Sequence, residues 1–521
     1  MNNSETITRP WKEAMDSIFH PRVLAMLFLG FSAGLPAPLI FSSLSLWLRE
    51  AGIERSAVTF FSWASLGYSF KFIWAPLIDQ LPIPWLTKTL GRRRSWMLLS
   101  QIAVIISIGF MALVDPSPSF GERSLILMAI GAVALGFFSA TQDIVIDAYR
   151  IEADVLELQA MMASAYVAGY RVAMIVAGAG ALYLAEILGS TKGVYSYSAW
   201  KATYLIMAGI MLVGVVTTLL IGEPEQNRDS GQREDAVYNL RFLGLFLFAV
   251  TGFFLMFTYS NPIILGLEPG MRMITGNVEL TGFILETFHL VLSLAAAFIV
   301  SEICIRTGLA QREMVVRTYV DPIRNFFQRY GVKLALLLLC LVGLYKISDT
   351  VMGVIANVFY QDMGFSKTEI AAASKTFGLV MTILGGFVGG ILTIRYGVIR
   401  ILFLGGLLAS ATNLLFMVLA GHFHHMPLLY CVISVDSFAG GIAATAFIAF
   451  LSSLTNISFT AMQYAIFSSL MTLIPKIIGG YSGTMVDKMG YPVFFLITAI
   501  LGLPVLVLVW LAGKHLGLKH K

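Results

Sequence analysis

Fourteen stretches of this sequence are apolar over about twenty residues each, and such runs leave a chain few ways to fold. A helix rises 1.5 Å per residue, so about twenty residues cross ~30 Å of hydrocarbon. The approximate spans are 23–48, 56–79, 95–114, 124–148, 160–186, 199–221, 242–266, 281–303, 334–360, 368–394, 400–420, 427–451, 460–486 and 491–512. None alternates with the period of two that marks a barrel strand, so the expected class is an all-α polytopic membrane protein. Composition points the same way: 57% of the 521 residues are hydrophobic, 12% are charged, and mean hydropathy is +0.80. An ordinary soluble domain carries about twice that charge. So few charged side chains exclude a cytosolic enzyme and a disordered chain. A net charge of +5, not gathered into one soluble domain, excludes a nucleic-acid binder.

The polar first 20 residues and the long first apolar run argue against a cleavable signal peptide. Cys304, Cys340 and Cys431 lack the spacing of a disulfide framework or a zinc site. With the N-terminus inside, 22 of the 35 Lys and Arg residues fall on the cytoplasmic side, 8 outside and 5 within helices. Both termini are therefore expected in the cytoplasm.

The runs divide as six, an inserted pair, and six. The expected organisation is a tail over 1–22, a six-helix bundle over 23–222, and cytoplasmic linkers with two inserted helices and an interfacial helix over 223–333. A second bundle over 334–513 and a tail over 514–521 complete it. The interfacial helix is read from Val320, Ile323, Phe326 and Phe327 near helical spacing. The inserted pair, with Glu286 and His289 as its buried ionisable groups, is expected to be peripheral to transport. An internal repeat shows where the second run ends: Trp74-Ala75-Pro76-Leu77-Ile78-Asp79 leads to Gly91-Arg92-Arg93-Arg94. In the second half Gly389-Gly390-Ile391-Leu392-Thr393-Ile394-Arg395-Tyr396-Gly397 precedes Arg400. Both resemble the loop signature of the major facilitator superfamily; the first carries an insertion, and the second has Ile394 where the acid would stand. Two similar bundles can rock about a central cavity. Asp79, by capping a neighbouring helix N-terminus, can bias which state is closed; the other reading of Asp79 is a topology anchor.

An ionisable group at mid-bilayer costs at least ~2.5–3.5 kcal/mol, so each such residue is a functional candidate. Asp143 and Asp147 stand one turn apart with Gln142 beside them. Two close carboxylates in a low-dielectric cavity do not comfortably both ionise, which suits proton coupling. For Asp147 helix-end solvation, beside Arg150, Glu152 and Asp154, is the other reading. Lys346 and Asp349, three apart, form either an intrahelical ion pair or a switchable one. Arg171 lacks a local counter-ion, and Asp143 is the expected partner. Lys71, Lys375 and Lys476 are similar orphans, and Asp436 occupies the half-repeat counterpart of the fourth helix. Basic groups in a cavity point to a substrate bearing carboxylates, acidic ones to proton coupling. Trp63, Tyr68, Trp74 and Tyr170 could stack on sugar faces or merely pack. His422, His424 and His425 cluster in an outside loop with no nearby carboxylate, so no metal is expected, and no P-loop follows a strand.

Several blocks resemble the AmpG-type muropeptide permeases, a branch of the major facilitator superfamily. They are Gly30-Phe31-Ser32-Ala33-Gly34-Leu35-Pro36, Phe70-Lys71-Phe72, Gln142-Asp143-Ile144-Val145-Ile146-Asp147-Ala148 and Gly169-Tyr170-Arg171 in the first half. In the second half they are Tyr345-Lys346 with Asp349, Lys375-Thr376-Phe377-Gly378, Gly440-Gly441 and Met462-Gln463-Tyr464. The resemblance implies proton-driven import of N-acetylglucosamine linked to 1,6-anhydro-N-acetylmuramic acid, with or without a stem peptide, across the bacterial inner membrane. Peptidoglycan recycling, and in some bacteria β-lactamase induction, would follow. It implies roles for Asp143, Asp147, Lys346, Asp349, Gly169 and Gly441, with Gln463 as a cavity candidate and Arg92, Arg93 and Gly440 as gating or structural ones. Its partners would be the anhydromuropeptide, protons and the lipid bilayer, with no cofactor and a monomeric state. One departure is that the family's helices beyond twelve lie toward the C-terminus, whereas here the extra pair separates the halves. The competing readings are an exporter of drugs or siderophores, an importer of another glycopeptide, and a membrane-embedded sensor or transferase.

Overall fold

The computed structural model describes residues 15–53, 68, 70–153, 156–191, 194–224, 236–276, 278–479 and 482–519. Among them the chain is helical throughout, and thirteen helices are long and apolar enough to cross a bilayer. These fall on thirteen of the fourteen expected runs; the other, 56–79, lies mostly outside the described residues. In chain order, α1 is Pro21–Gly34, α2 Ala75–Gln80, α3 Arg92–Ala112, α4 Glu122–Ala153, α5 Leu156–Ile175 and α6 Leu212–Leu220. Next come α7, Ala236–Thr275, and α8, Val278–Arg306. After them come α9 Asp321–Tyr330, α10 Val332–Leu344, α11 Ile347–Asp362, α12 Gly378–Tyr396, α13 Val398–Leu419, α14 Met426–Leu454, α15 Thr460–Gly479 and α16 Ser482–Lys519, with further helical segments such as Ser42–Glu50 and Tyr197–Ile210 between the numbered ones. The last helix is not straight: α16 bends at Gly490, whose φ of 76° no α-helix contains.

The chain forms two compact units, Met1–Gln226 with Phe326–Lys521, and Asn227–Asn325. In the first, each half is drawn together by glycines. A Cβ on Gly169 of α5 would lie 1.9 Å from the Leu27 carbonyl oxygen of α1, and one on Gly441 of α14 would lie 2.3 Å from that of Thr382 in α12. Backbones this close are the usual means of packing helices where lipid offers no hydrophobic drive. Gly440 differs, with nothing within 4 Å of a Cβ.

Buried amides repeat across the halves. Gln101 of α3 accepts the Thr218 hydroxyl of α6 at 2.9 Å, and Asn413 of α13 donates to Ser348 of α11 at 2.8 Å. Ser348 in turn donates to the Thr498 carbonyl of α16 at 2.8 Å. The turns before α3 and α13 match as well, with Gly91 at φ 86° and Gly397 at φ 85°. Among the described residues a carboxylate closes the turn only at Gly91: Glu223 accepts the N–H groups of Arg93 at 2.8 Å and Arg94 at 3.0 Å, satisfying free donors at the positive end of α3.

In the second unit α7 and α8 pair as a hairpin. His289 stacks on Phe257 with centroids 4.1 Å apart and hydrogen-bonds the Phe257 carbonyl at 2.8 Å. The Glu286 side chain lies outside those described. Of the residues read as an interfacial stripe, Val320 and Ile323 are exposed, while Phe326, in the first unit, is buried against Phe467.

The glycine contacts predict that Gly441→Ala lowers stability by about 1–3 kcal/mol through overpacking. Gly440→Ala should stay within about 0.5 kcal/mol of the parent. Thermal unfolding of the two variants in detergent checks the contrast.

Candidate functional site

Two groups of buried ions join the halves of the first unit. The first is built on Arg93, in the first turn of α3 and fully buried. Its Nη2 lies 2.7 Å from Asp79 Oδ1 and 2.5 Å from Glu152 Oε1, and its Nε donates to Glu152 Oε2 at 2.9 Å. Arg92 donates to the Asp79 main-chain carbonyl. The Asp79 carboxylate also accepts the N–H of Ala461 at 3.2 Å and of Met462 at 3.0 Å, the first turn of α15 in the opposite half. A single carboxylate thus neutralises an arginine of its own half and caps a helix of the other.

The second group lies on α4. Asp147 sits between two cations: Lys71 Nζ is 3.8 Å from Oδ2 and Arg150 Nη2 is 3.3 Å from Oδ1. Arg150, fully buried, reaches the other half, donating to Ser452 Oγ at 2.7 Å and lying 5.2 Å from the Tyr464 ring centre. Asp143, one turn away, accepts the Tyr166 hydroxyl at 3.3 Å. Tyr68 donates to Ser139 at 2.7 Å, and the Tyr170 and Tyr166 rings stand 6.1 Å apart. Lys71, read as an orphan, therefore has a partner.

Other expectations are corrected by tertiary structure. Arg171 makes no ion pair with Asp143; five residues beyond Tyr166 on one helix, it is turned by about 140° from the side chain that does reach Asp143. It is exposed and lies within electrostatic range of Lys346 instead. Lys346 and Asp349 do not share one helical face, because the helix breaks at Tyr345–Lys346 and Lys346 is the residue preceding α11. No ion pair joins them, although their charges act on each other. Asp436 accepts the Thr412 hydroxyl at 2.8 Å and lies within electrostatic range of Asp349. Gln142 turns into its own bundle, donating to Ser32 at 2.6 Å, and Gln463 accepts the Asn456 N–H at 2.7 Å beside the start of α15. Trp74 donates to Thr141 at 3.1 Å. The side chains of Lys375 and Lys476, and residue Trp63, lie outside the described set.

The histidine loop does have a carboxylate nearby: His424 Nε2 lies 3.3 Å from Glu369 Oε2, brought there by folding rather than by sequence proximity. Glu369 also accepts the Ser366 N–H and hydroxyl, at 2.8 and 2.9 Å. These bonds, led by the backbone one and then joined by His424, hold its carboxyl below the usual carboxylate range.

A model of the Major Facilitator Superfamily matches residues 23–344 and again 335–519. The chain belongs to the major facilitator superfamily. Within it, this facilitator is 30% identical over 494 residues to the putative transporter AmpG 4 of Rickettsia conorii, covering 95% of this chain and 97% of that one. It is 28% identical over 497 residues to the anhydromuropeptide permease of Escherichia coli K12, covering 95% and 80%. Its fold is similar to that of the E. coli fucose:proton symporter FucP, with a TM-score of 0.56 at 12% identity over 95% of this chain and 99% of that one. It is accordingly an AmpG-type multi-pass membrane transporter, in a family that moves solutes and is not enzymatic.

Sequence reading of this facilitator missed Arg150 and Glu152, which look like solvated helix-end charges, Tyr166, which carries no motif signal of its own, and Tyr464, whose family block does not mark it as a partner of a buried cation. Only its place as the single cation among four acids over 143–154 could have drawn attention to Arg150.

Removing Arg93 strands two buried carboxylates, so Arg93→Met should destabilise the AmpG-type fold by about 3–5 kcal/mol, as read by thermal unfolding. At the histidine loop, a carboxyl held low when folded contributes stability that is present above its unfolded pKa and lost as pH falls through the lower folded one. The protection of the His424 amide against hydrogen exchange, taken relative to the intrinsic rate at each pH, should therefore fall below about pH 4; that amide donates to the Met363 carbonyl at 2.9 Å. In Glu369→Gln that acid-dependent step should be absent.

Proposed function

We propose that this facilitator is a proton-coupled importer of anhydromuropeptides, N-acetylglucosamine linked to 1,6-anhydro-N-acetylmuramic acid with or without a stem peptide. It works as a monomer by alternating access in the bacterial inner membrane, with both termini in the cytoplasm, and supplies peptidoglycan recycling. The observation that carries the coupling is the pair of carboxylates one turn apart, Asp143 and Asp147, within the ion-poor interior and served by Lys71. Arg171 and Lys346, cations without a carboxylate in contact, suit the carboxylates of a stem peptide, and Tyr68 and Tyr170 suit its sugars. The name of the E. coli relative supports the cargo, and the 22-to-8 distribution of basic residues supports the orientation.

In this reading the bundles over 23–222 and 334–513 rock about the cavity. The contacts of Asp79 with α15 seal the side from which α1 enters. Asp349 and Asp436 form a second acidic group in the other bundle.

Purified protein in liposomes should accumulate labelled anhydromuropeptide under an inward proton gradient. With one proton per substrate, a gradient of one pH unit supports about tenfold accumulation. Uptake indifferent to the gradient removes the coupling, and absent uptake removes the cargo. Asp143→Asn should abolish gradient-driven accumulation while leaving substrate exchange measurable; normal accumulation would take Asp143 out of the mechanism.

A further inference from the structure

Asp143 and Asp147 are chemically alike and one turn apart, yet their surroundings differ. Asp147 has Lys71 on one oxygen and Arg150 on the other. Asp143 has one hydroxyl, that of Tyr166, and no cation in contact, while Lys71 acts on it from farther away. The charged and titratable groups facing the pair are Lys71, Arg150, Tyr68, Tyr166, Tyr170 and Tyr464.

We infer that Arg150 is a positioning residue that ties the proton site to the sealed end, with Asp143 taking the proton and Asp147 remaining the fixed anion that holds Arg150 against Ser452 and Tyr464. This rests on the proton-coupled reading above. While Asp143 is ionised, Lys71 is shared between two carboxylates. When Asp143 is protonated, Lys71 is drawn wholly to Asp147, and the hold of Asp147 on Arg150 weakens. Arg150 is the member of the cluster that crosses between halves, with Nη1 2.7 Å from Ser452 Oγ and its guanidinium stacked 5.2 Å from Tyr464. Ser452 stands near the end of α14 and Tyr464 in the first turns of α15, the helix whose start Asp79 caps. A loosened Arg150 therefore loosens the seal. The path runs Asp143, Lys71, Asp147, Arg150, Ser452; its first link is electrostatic, the others are contacts, and the charge change is at its head.

The test needs no substrate. Ala461, buried under the Asp79 cap, is replaced by cysteine (Ala461→Cys) in protein whose Cys304, Cys340 and Cys431 are changed to serine, and its alkylation is timed across pH as a ratio to that of the same cysteine in denatured protein, which cancels the change in thiolate fraction. Alkylation should rise about tenfold from about pH 8 to about pH 5, the range of an ordinary coupling energy. Asp143→Asn should be alkylated at the low-pH rate throughout. Arg150→Gln should also be fast and flat with pH, while Arg150→Lys keeps part of the response. Because Arg150 is fully buried, Ser452→Ala provides a second variant that keeps every charge; its pH response should shrink at least about twofold. A pH response in Arg150→Gln or Ser452→Ala equal to that of the parent overturns the link. A parent with no pH response instead removes the coupling reading on which the link rests.

Discussion

A fully buried guanidinium cannot exist in this protein without its counter-ions, and Arg93 finds two carboxylates on two other helices. Breaking a buried pair costs about 3–5 kcal/mol, whereas replacing it with apolar side chains is often harmless. Ion groups of this kind are better understood as devices for holding one arrangement than as sources of net stability. Here the arrangement held is the contact between the halves, because the carboxylate that neutralises Arg93 also caps α15. Glu223, Glu152 and the turn at Gly91 all serve to keep Arg93 where Asp79 can meet it.

Much of this was legible in the sequence, and the reasons are physical. Apolar runs of membrane length report helices directly, since backbone polar groups have no other way to be satisfied in hydrocarbon. The spacing of Asp143 and Asp147 is local and helical, so their shared turn could be read, and the capping chemistry available to Asp79 could be named. Partners from other helices could not. Lys71 looked solitary because Asp147 is brought to it by folding, and Arg150 looked like a solvated end because nothing local indicates that α14 and α15 cover it. The pairing expected of Lys346 and Asp349 failed for a local reason, a helix break between α10 and α11 that the apolar run conceals.

The two halves share a scaffold and differ in charge. Matching glycine turns precede α3 and α13, and a buried amide on each of those helices serves a neighbour. The first half adds Asp79, Arg93, Glu152 and Glu223 to this frame, while the second has Ile394 at the position of the acid, buried and uncharged. The contact between the halves is thus asymmetric: one half supplies the anion, and the other supplies a helix N-terminus and a hydroxyl.

The hairpin between the halves carries a further consequence. At 1.5 Å per residue, the 40 residues of α7 extend about 60 Å, twice the ~30 Å of hydrocarbon. Even tilted by about 40°, the steep end of what membrane helices adopt, the helix needs only about 26 residues to cross. About fourteen residues must then stand beyond the acyl chains, unless the bilayer thickens around them. Pro262, the first of two prolines inside α7, comes 26 residues after its start, so the portion carrying both is the one that a bilayer of ordinary thickness leaves uncovered if the crossing begins at Ala236. Lipid length, and not only lipid charge, is therefore a property to which this part of the protein must respond.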